Sequence, residues 1–299
     1  MILITGVNGF IGKNLALHLI EQGEDVIGID PSPFDQANFP VGRFFQISTL
    51  DKLELTEIFK NFSPKKIIHL GMTSNNKEAL HNKLLARRSI IEGTANLLEC
   101  AKLVQADHFL FASTSMVYGH FTDPKMTENH PCYPIEYYGA LKLEAEDLIR
   151  ETLKNLSMDF TIFRPTAVYG LGDNQDRVVQ IFLSKAQKGE AFVIKGSTTV
   201  LDFTNISDVI KGIVLMLKEP KARNQVYNIS RSEPRTLEEL AQIIKKNLPD
   251  CQYHIEDADK TIARRGSLDI AKIQFDLGFQ PQVRLEDGIL QCLGKHHGN

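Results

Sequence analysis

Cysteine is scarce in this chain: four occur among 299 residues, and none stands in a CxxC pair. They are spread over the sequence at Cys100, Cys132, Cys251 and Cys292. Neither a disulfide framework nor a metal site is expected from this spacing, and reduced thiols favour the cytoplasm. No apolar run reaches the roughly 18 residues that indicate a transmembrane helix. The chain also starts directly with an apolar run typical of a core strand, which predicts that no signal peptide is present.

An excess of charge of one sign is absent as well. Lys and Arg number 34 and Asp and Glu number 37, so the net charge is −3. This balance points neither to nucleic acid nor to an anionic membrane as a partner. Hydrophobic residues make up 42% and charged residues 24% of the chain, as in ordinary globular proteins. The length suits one large α/β domain or two smaller ones.

Glycine is concentrated at a turn near the start of the chain. Ile2–Thr5 is a short apolar run of the kind that forms a buried parallel strand. Glycines follow it at GxxGxxG spacing, at Gly6, Gly9 and Gly12. An amphipathic stretch over 11–22 predicts a helix, and 25–30 predicts a second strand that ends in Asp30. This order of strand, glycine turn, helix, strand and acid is the dinucleotide-binding arrangement rather than an ordinary glycine-rich turn.

Asp30 bears on the choice of dinucleotide. A carboxylate at this point accepts hydrogen bonds from ribose hydroxyls and repels a 2′-phosphate. No Lys or Arg occurs between Asp30 and Arg43, so NAD is predicted over NADP. The alternative is that Asp30 only caps a turn before Pro31.

Strand and helix patterns alternate through the first half of the chain. Further strands are predicted at 65–70, 107–112 and 160–163, and helices at 77–103 and 137–156. Alternation of this kind indicates an α/β fold, a Rossmann-type doubly wound parallel sheet. We therefore predict a Rossmann domain over 1–165 and a smaller substrate-binding domain over 166–299, with some segments near 200–230 returning to the first domain.

The second half follows a looser pattern. It predicts helices at 178–188, 208–218 and 237–247, strands at 192–195 and 227–229, a loop over 196–207, and a polar, irregular tail.

A tyrosine and a lysine share one face of the helix predicted over 137–156. Tyr138 and Lys142 are four residues apart, so the phenol and the ammonium point the same way. A neighbouring cation lowers the pKa of a phenol, which predicts a usable base at Tyr138. The run Ser113–Ser115 adds hydroxyls at a strand end, where they can bind a reacting oxygen, although Thr114 is equally suited to capping a turn.

With these motifs in this order, the chain resembles the NAD-dependent epimerase/dehydratase family of extended short-chain dehydrogenases/reductases. The motifs that carry the resemblance are Gly6–Gly12, Ser113–Gly119, Tyr138xxxLys142, Arg164–Gly170, Asp202–Val209 and Leu277–Pro281. The resemblance implies NAD as cofactor and a sugar hydroxyl as the group oxidised. It implies catalytic roles for Thr114, Tyr138 and Lys142.

The resemblance also implies two sets of binding residues. The cofactor set is Gly6, Asn8, Gly9, Phe10, Ile11, Gly12, Asp30, Ser48, Leu70, Gly71, Tyr138, Lys142 and Pro165. The substrate set is Thr114, Ser115, Met116, Arg177, Arg264 and Arg265, where Arg264 or Arg265 matches a phosphate-binding arginine of the family.

Several positions depart from the family pattern. Met116 stands where the sugar 4,6-dehydratases carry a Glu, and a thioether cannot supply the acid/base that loss of water needs. Leu201 stands where nucleotide-sugar enzymes usually have an arginine for the pyrophosphate. Ser48 and Ala167 replace a usual Asp and a usual Asn.

The resemblance therefore favours a nucleotide-sugar epimerase, acting at C4 through a keto-sugar and tightly held NAD, in a homodimer. The alternatives are a net dehydrogenase or reductase, or an oxidative decarboxylase, on a related sugar. A third hypothesis is a non-catalytic NAD-binding protein. Such a protein would lack one or more of the Tyr, Lys and hydroxyl residues, and all three are present here.

Overall fold

The structure is a computed structural model that describes residues 1–33, 43–173, 176–258 and 263–294. Its strands are β1 (Ile2–Thr5), β2 (Val26–Ile29), β3 (Phe44–Phe45), β4 (Lys66–His69), β5 (His108–Ala112), β6 (Lys125–Met126), β7 (Asp159–Pro165), β8 (Val168–Tyr169), β9 (Phe192–Lys195), β10 (Val200–Leu201), β11 (Thr204–Asn205), β12 (Gln225–Ile229), β13 (Arg235–Thr236), β14 (Tyr253–Glu256) and β15 (Ser267–Leu268). Its α-helices are α1 (Phe10–Glu21), α2 (Lys52–Phe62), α3 (Asn76–His81), α4 (Lys83–Arg87), α5 (Gly93–Leu103), α6 (Tyr137–Leu153), α7 (Val178–Gln187), α8 (Ile206–Lys218), α9 (Leu237–Asn247), α10 (Ala271–Leu277) and α11 (Leu285–Cys292).

A seven-stranded sheet forms the centre of the molecule. Its strand order is β12-β7-β5-β4-β1-β2-β3, and every neighbouring pair is parallel. The chain leaves β1 toward β2 on one side and later returns to β4 on the other, so the order reverses beside β1. A crevice opens at such a reversal, outside the carboxyl ends of the strands. The predicted doubly wound Rossmann-type sheet is confirmed.

Helices cover both faces of this sheet, because its strands are apolar on both sides. One face packs under α1, α8 and α10, which bury Leu15, Val209 and Ile273. The other face packs under α2, the α3–α5 segment and α6, which bury Phe59 and Ile149 among others. The sheet thereby becomes a rigid floor whose carboxyl edge carries the site.

A second apolar cluster gathers elements from the later part of the chain. Helices α7, α9 and α11 pack around β9, where the rings of Phe182 and Phe192 stack with centroids 4.3 Å apart. Between these elements in sequence, α8 and β12 join the central sheet instead. The division of the chain at 165/166 stays a prediction. In the part of the chain that the structure describes, no helix is both long and apolar enough to cross a bilayer.

The prediction of one helix over 77–103 is wrong. Asn82 interrupts it with φ −139°, and the Asn82 side chain caps α4 by accepting a hydrogen bond from the N–H of Leu85 (3.0 Å). A π-helical turn, Arg88–Glu92, then separates α4 from α5. Asparagine caps helices well, and π-turns occur as single turns inside α-helices, so neither feature is marked in the sequence by a Gly or Pro.

The prediction of an irregular tail is also wrong. Two short helices, α10 and α11, lie there and bury Ile273, Leu277, Leu285 and Ile289. Each helix has about two turns, too few for its periodicity to stand out in a polar segment. The loop predicted over 196–207 holds the two-residue strands β10 and β11.

Candidate active site

One large cavity, of about 1080 Å³, lies at the carboxyl edge of the sheet. It is lined by the whole predicted cofactor set, namely Gly6, Asn8, Gly9, Phe10, Ile11, Gly12, Asp30, Ser48, Leu70, Gly71, Tyr138, Lys142 and Pro165. It is also lined by five of the six predicted substrate residues, namely Thr114, Ser115, Met116, Arg177 and Arg265. Residues far apart in sequence therefore meet in a single crevice.

Arg264 does not line this cavity, so of the two alternatives Arg264 and Arg265 the structure brings only Arg265 to it. Its side chain is exposed, and its backbone N–H donates to His120 Nδ1 (3.0 Å). Neighbouring side chains on a non-helical segment point in different directions, so only Arg265 turns inward.

The glycine turn meets the loop that follows β4 at very close range. Gly6 has φ +70°, and a Cβ on it would lie 2.6 Å from Gly71 Cα. Beneath this contact, Thr5 Oγ1 accepts a hydrogen bond from the N–H of Gly71 (2.9 Å) and bonds to His69 Nδ1 (2.8 Å). The other ring nitrogen of His69 bonds to Thr94 Oγ1 (3.1 Å). Burial, with a contribution from Lys142, holds the pKa of His69 well below its usual value, so the ring is neutral and fixes both loops.

Asp30 caps a turn and also lines the cavity. Its carboxylate is buried at the end of β2, and it lines the cavity. Oδ2 accepts from the N–H of Asn8 (3.1 Å) in the glycine turn, and Oδ1 accepts from the N–H of Ser32 (2.9 Å). The second bond is the turn contact expected of a capping aspartate. The first bond ties the acid to the turn, and therefore fixes where a ribose could meet it.

We expect NADP⁺ to bind at least about tenfold more weakly than NAD⁺, because a 2′-phosphate would be placed against the Asp30 carboxylate. Calorimetric dissociation constants for both dinucleotides test this. Asp30→Asn keeps an acceptor oxygen for the turn and removes the charge. It should therefore narrow the difference between the NAD⁺ and NADP⁺ dissociation constants. Equal affinities in the unaltered protein would contradict the prediction.

Lys142 lies deep at the inner end of the cavity. Its Nζ donates to the carbonyl of Ala112 (2.5 Å) at the end of β5 and lies 2.8 Å from Met72 Sδ. The same Nζ is 5.6 Å from the centre of the Tyr138 ring, so phenol and ammonium do share a helix face. Thr114 caps the 3₁₀ turn Ser115–Tyr118 by accepting from the N–H of Met116 (3.2 Å). A hydroxyl that accepts in this way still has its own hydrogen to donate.

The prediction that Lys142 lowers the pKa of Tyr138 is wrong for this structure. Burial raises the pKa of Tyr138, with Arg177 opposing the rise and Glu78 adding to it. Burial also lowers the pKa of Lys142 to about 7, with Glu146 opposing that fall. Desolvation outweighs the neighbouring charge for both groups, because both side chains are buried.

Two arginines in the cavity are held by carboxylates. Arg265 Nη2 donates to Glu136, while its Nη1 is buried with no hydrogen-bond partner among the described residues. Arg177 Nε lies 3.4 Å from Asp173 Oδ1. A buried guanidinium nitrogen without a partner is a donor that an anion can satisfy.

Several contacts in this site have no counterpart in the sequence predictions. Lys142 contacts Met72 and the carbonyl of Ala112. The Thr5–His69 pair lies beneath Gly71, to which Thr5 is hydrogen-bonded. Ala167 lines the cavity with φ +37°, a conformation that asparagine and glycine tolerate better than alanine. Of these, only Ala167 left a sequence signal, as the replacement of a usual Asn.

Comparison with known proteins decides the family. The model of the NAD dependent epimerase/dehydratase family matches residues 2–230. The chain belongs to the NAD-dependent epimerase/dehydratase family. A Methanocaldococcus jannaschii protein that carries the provisional name UDP-glucose 4-epimerase is 30% identical, over 97% of this chain and 96% of that protein.

Solved structures agree with this family assignment. The Thermotoga maritima UDP-glucose 4-epimerase with UDP-glucose has a TM-score of 0.93 and 27% identity, covering 98% of this chain and 97% of the other. A Bacillus cereus UDP-glucuronic acid 4-epimerase with UDP-glucuronic acid and NAD has a TM-score of 0.87 and 26% identity, covering 96% of each chain. Other relatives are named as dehydratases and decarboxylases, so this family member is an NAD-dependent enzyme of a family with several reactions.

The residues of the crevice fit NAD, the cofactor of the family. The turn at Gly6–Gly12 exposes its backbone and the start of α1 to the cavity. At the three glycines no side chain separates this backbone from the cavity. Asp30 is fixed beside the glycine turn, where a ribose would meet it, and Lys142 lies beside Tyr138 in the same cavity.

Proposed function

We propose that this enzyme is a nucleotide-sugar epimerase that acts at C4 of the sugar. The observation that carries the proposal is the convergence of Thr114, Tyr138 and Lys142 at the inner end of the cofactor crevice. A phenol, an ammonium and a hydroxyl within one cavity suit the oxidation of a secondary alcohol and its reversal.

Each of the three side chains has a task in this proposal. Tyr138 takes the proton of the sugar hydroxyl and returns it to the same oxygen at the end of the cycle. Thr114 donates a hydrogen bond to that oxygen, while Lys142 holds the cofactor ribose and Tyr138 in place. NAD, when bound in the crevice, would supply the hydride acceptor and donor, and return of the hydride to the other face of the keto sugar would invert C4 with no net NADH.

Anion contacts support a nucleotide-linked substrate. Arg265 has a buried, unpartnered Nη1, and Arg177 lines the same cavity. Leu201 lines the cavity too, in place of a usual arginine. We therefore assign the diphosphate to Arg265 and Arg177.

A panel of UDP-, GDP-, CDP- and dTDP-sugars, followed by NMR, tests the proposal. We expect one sugar to equilibrate with its C4 epimer without growth of the NADH absorbance. Formation of stoichiometric NADH, or epimerisation at another carbon, would contradict it.

Arg177 favours a second candidate, oxidative decarboxylation of an acidic sugar. This cation lines the cavity close enough to Tyr138 to oppose part of the rise that burial causes in the pKa of the phenol. A sugar carboxylate placed between the two would be well paired. The same panel separates the candidates, because decarboxylation releases CO₂ and leaves NADH.

We predict no 4,6-dehydratase activity, because Met116 lies on the cavity wall where an acid/base would be needed. Incubation with hexose nucleotides should give no 4-keto-6-deoxy product by mass spectrometry. Met116→Glu supplies the missing group in place, and tests whether that position limits the reaction. A dehydrated product from the unaltered enzyme would show that another acid serves.

We further propose a cytoplasmic homodimer. Leu80 and Leu84 on α3 and α4 are exposed, as is Leu85, and a second copy would cover them. All four cysteines are free thiols, as in a reducing compartment. Light scattering should give twice the chain mass, and Leu84→Glu should shift it toward the monomer.

A further inference from the structure

A buried carboxylate stands directly behind the catalytic pair. Glu146 follows Lys142 on α6 by four residues, as Lys142 follows Tyr138, so the three side chains share one helix face. Glu146 is 0% exposed and does not line the cavity. A fully buried charge is costly unless it is paired, so its partners indicate its purpose.

Four hydrogen bonds hold this carboxylate. Oε1 accepts from Ser113 Oγ (2.5 Å) and from Arg164 Nε (2.9 Å). Oε2 accepts from Arg164 Nη2 (2.6 Å) and from Arg150 Nη2 (2.6 Å). Burial alone would raise the pKa of Glu146, but Arg164, Ser113 and Arg150 outweigh it and keep the pKa below its usual value. The group is therefore an ionised carboxylate at neutral pH.

Two of the partners of Glu146, Ser113 and Arg164, are next in sequence to residues of the site. Ser113 lies between Thr114 and Ala112, whose carbonyl accepts the hydrogen bond from Lys142. Arg164 precedes Pro165, and its Nη1 donates to Tyr118 OH (3.0 Å) at the end of the 3₁₀ turn that carries Met116. The carboxylate thus joins α6 to the carboxyl ends of β5 and β7.

We infer that Glu146 is a positioning residue that fixes Lys142 and Tyr138 on α6 against Thr114 on the strand edge. This rests on the proposed function for its effect on turnover, but not for its effect on Lys142. The charged or titratable groups that bear on Lys142 are Glu146 and Tyr138 on α6 and His69 on β4. His69 is neutral, so Glu146 is the anion that favours the protonated amine.

Glu146→Gln tests this inference, because it keeps the shape and removes the charge. The Lys142 ammonium loses its neighbouring anion, so its pKa should fall further. The pH midpoint that Lys142 imposes on NAD⁺ affinity should therefore move about one unit lower. Turnover should fall roughly 10- to 100-fold through misplacement of the reacting groups. Glu146→Asp, which retains the charge, should recover part of the turnover and reverse part of the shift in the pH midpoint.

Glu144→Gln is the matched control, since it makes the same chemical change on the exposed face of α6. It should leave the pH midpoint and turnover unaltered. Ser113→Ala covers the case in which Glu146→Gln fails to fold, because it removes one bond and leaves both arginines paired. It should lower turnover about tenfold with the melting temperature nearly unchanged.

The inference is overturned if Glu146→Gln folds and keeps the wild-type midpoint for NAD⁺ affinity. It is overturned equally if Ser113→Ala turns over at the wild-type rate. Because NAD⁺ affinity needs no sugar, a failed search for the substrate would count against the proposed function without deciding the role of Glu146.

Discussion

Tyr138→Phe should lower turnover of the proposed epimerisation by at least about 100-fold while NAD⁺ affinity and the melting temperature stay close to wild type. The substitution removes one oxygen from a buried residue at the inner end of the crevice, and the ring that packs against α6 neighbours remains. A positioned proton-transfer group typically contributes 10²- to 10⁴-fold. Because burial raises the pKa of Tyr138 in the structure, the phenol must release its own proton to solvent before it can take the proton of the sugar hydroxyl.

Turnover by NMR, NAD⁺ affinity by calorimetry and thermal unfolding together test this expectation. Tyr137→Phe is the matched control: it deletes a phenol oxygen one position earlier, where the hydroxyl donates to the exposed carbonyl of Lys83 (3.2 Å). That control should lose less than twofold in turnover. If Tyr138→Phe retains near-wild-type turnover on the true substrate, another base must carry the reaction.

Gly12→Ala should have the second large effect, on binding rather than on chemistry. A Cβ at Gly12 would lie 2.1 Å from the carbonyl oxygen of Gly6 and 2.9 Å from Val7 Cα, and both of these are backbone atoms. Neither can rotate away, so the turn itself must shift. Overpacking of this kind costs about 1–3 kcal/mol, and the same displacement should weaken NAD⁺ binding by roughly tenfold or more.

Chemical denaturation and NAD⁺ titration of the Gly12→Ala enzyme measure these losses. Gly212→Ala on α8 is a suitable control, because its added Cβ would meet the end of a flexible side chain, Ile229 Cδ1, at 3.2 Å. It should change the free energy of unfolding little and NAD⁺ affinity not at all. Unaltered NAD⁺ affinity in the Gly12→Ala enzyme would show that the turn does not cradle the cofactor.

The parts of the site that the sequence predicts are those whose signal is local. The glycine spacing, the acid at Asp30 and the Tyr138–Lys142 pair each lie within one turn or one helix, where periodicity fixes relative position. The parallel sheet follows similarly from alternation of short apolar runs and helices. These features need no knowledge of how distant segments pack.

The remaining features depend on long-range packing. Thr5 and His69 meet across neighbouring strands, 64 residues apart, and Ser113 reaches Glu146 across 33 residues. No spacing rule links such pairs before the sheet order is known. The pKa of Tyr138 illustrates the same point, since the sequence shows its neighbouring cation but not the burial that outweighs it.

The interruption of the 77–103 pattern has a similar origin. The apolar positions recur as in a continuous helix, yet Asn82 caps α4 and the π-turn at Arg88–Glu92 shifts the residues around it. Ser89 from that turn bonds to Thr73 Oγ1 (3.0 Å), and both line the cavity. The break at Asn82 is thus a local helix cap, while the π-turn is the part of this segment that lies against the crevice.

The path of the chain through β12 limits how this enzyme can be recombined with its relatives. After β7 the backbone leaves the sheet, builds β8 to β11, and comes back through α8 to lay β12 beside β7. A swap of everything beyond Pro165 would therefore replace an edge of the nucleotide-binding sheet together with Val209 and Ile213, which pack on it. Grafts that aim to change sugar preference should therefore leave native both 206–229 and α10, which packs on the same face of the sheet, and exchange the stretches between these parts. New substrate preferences would have to arise in several separate pieces of the chain.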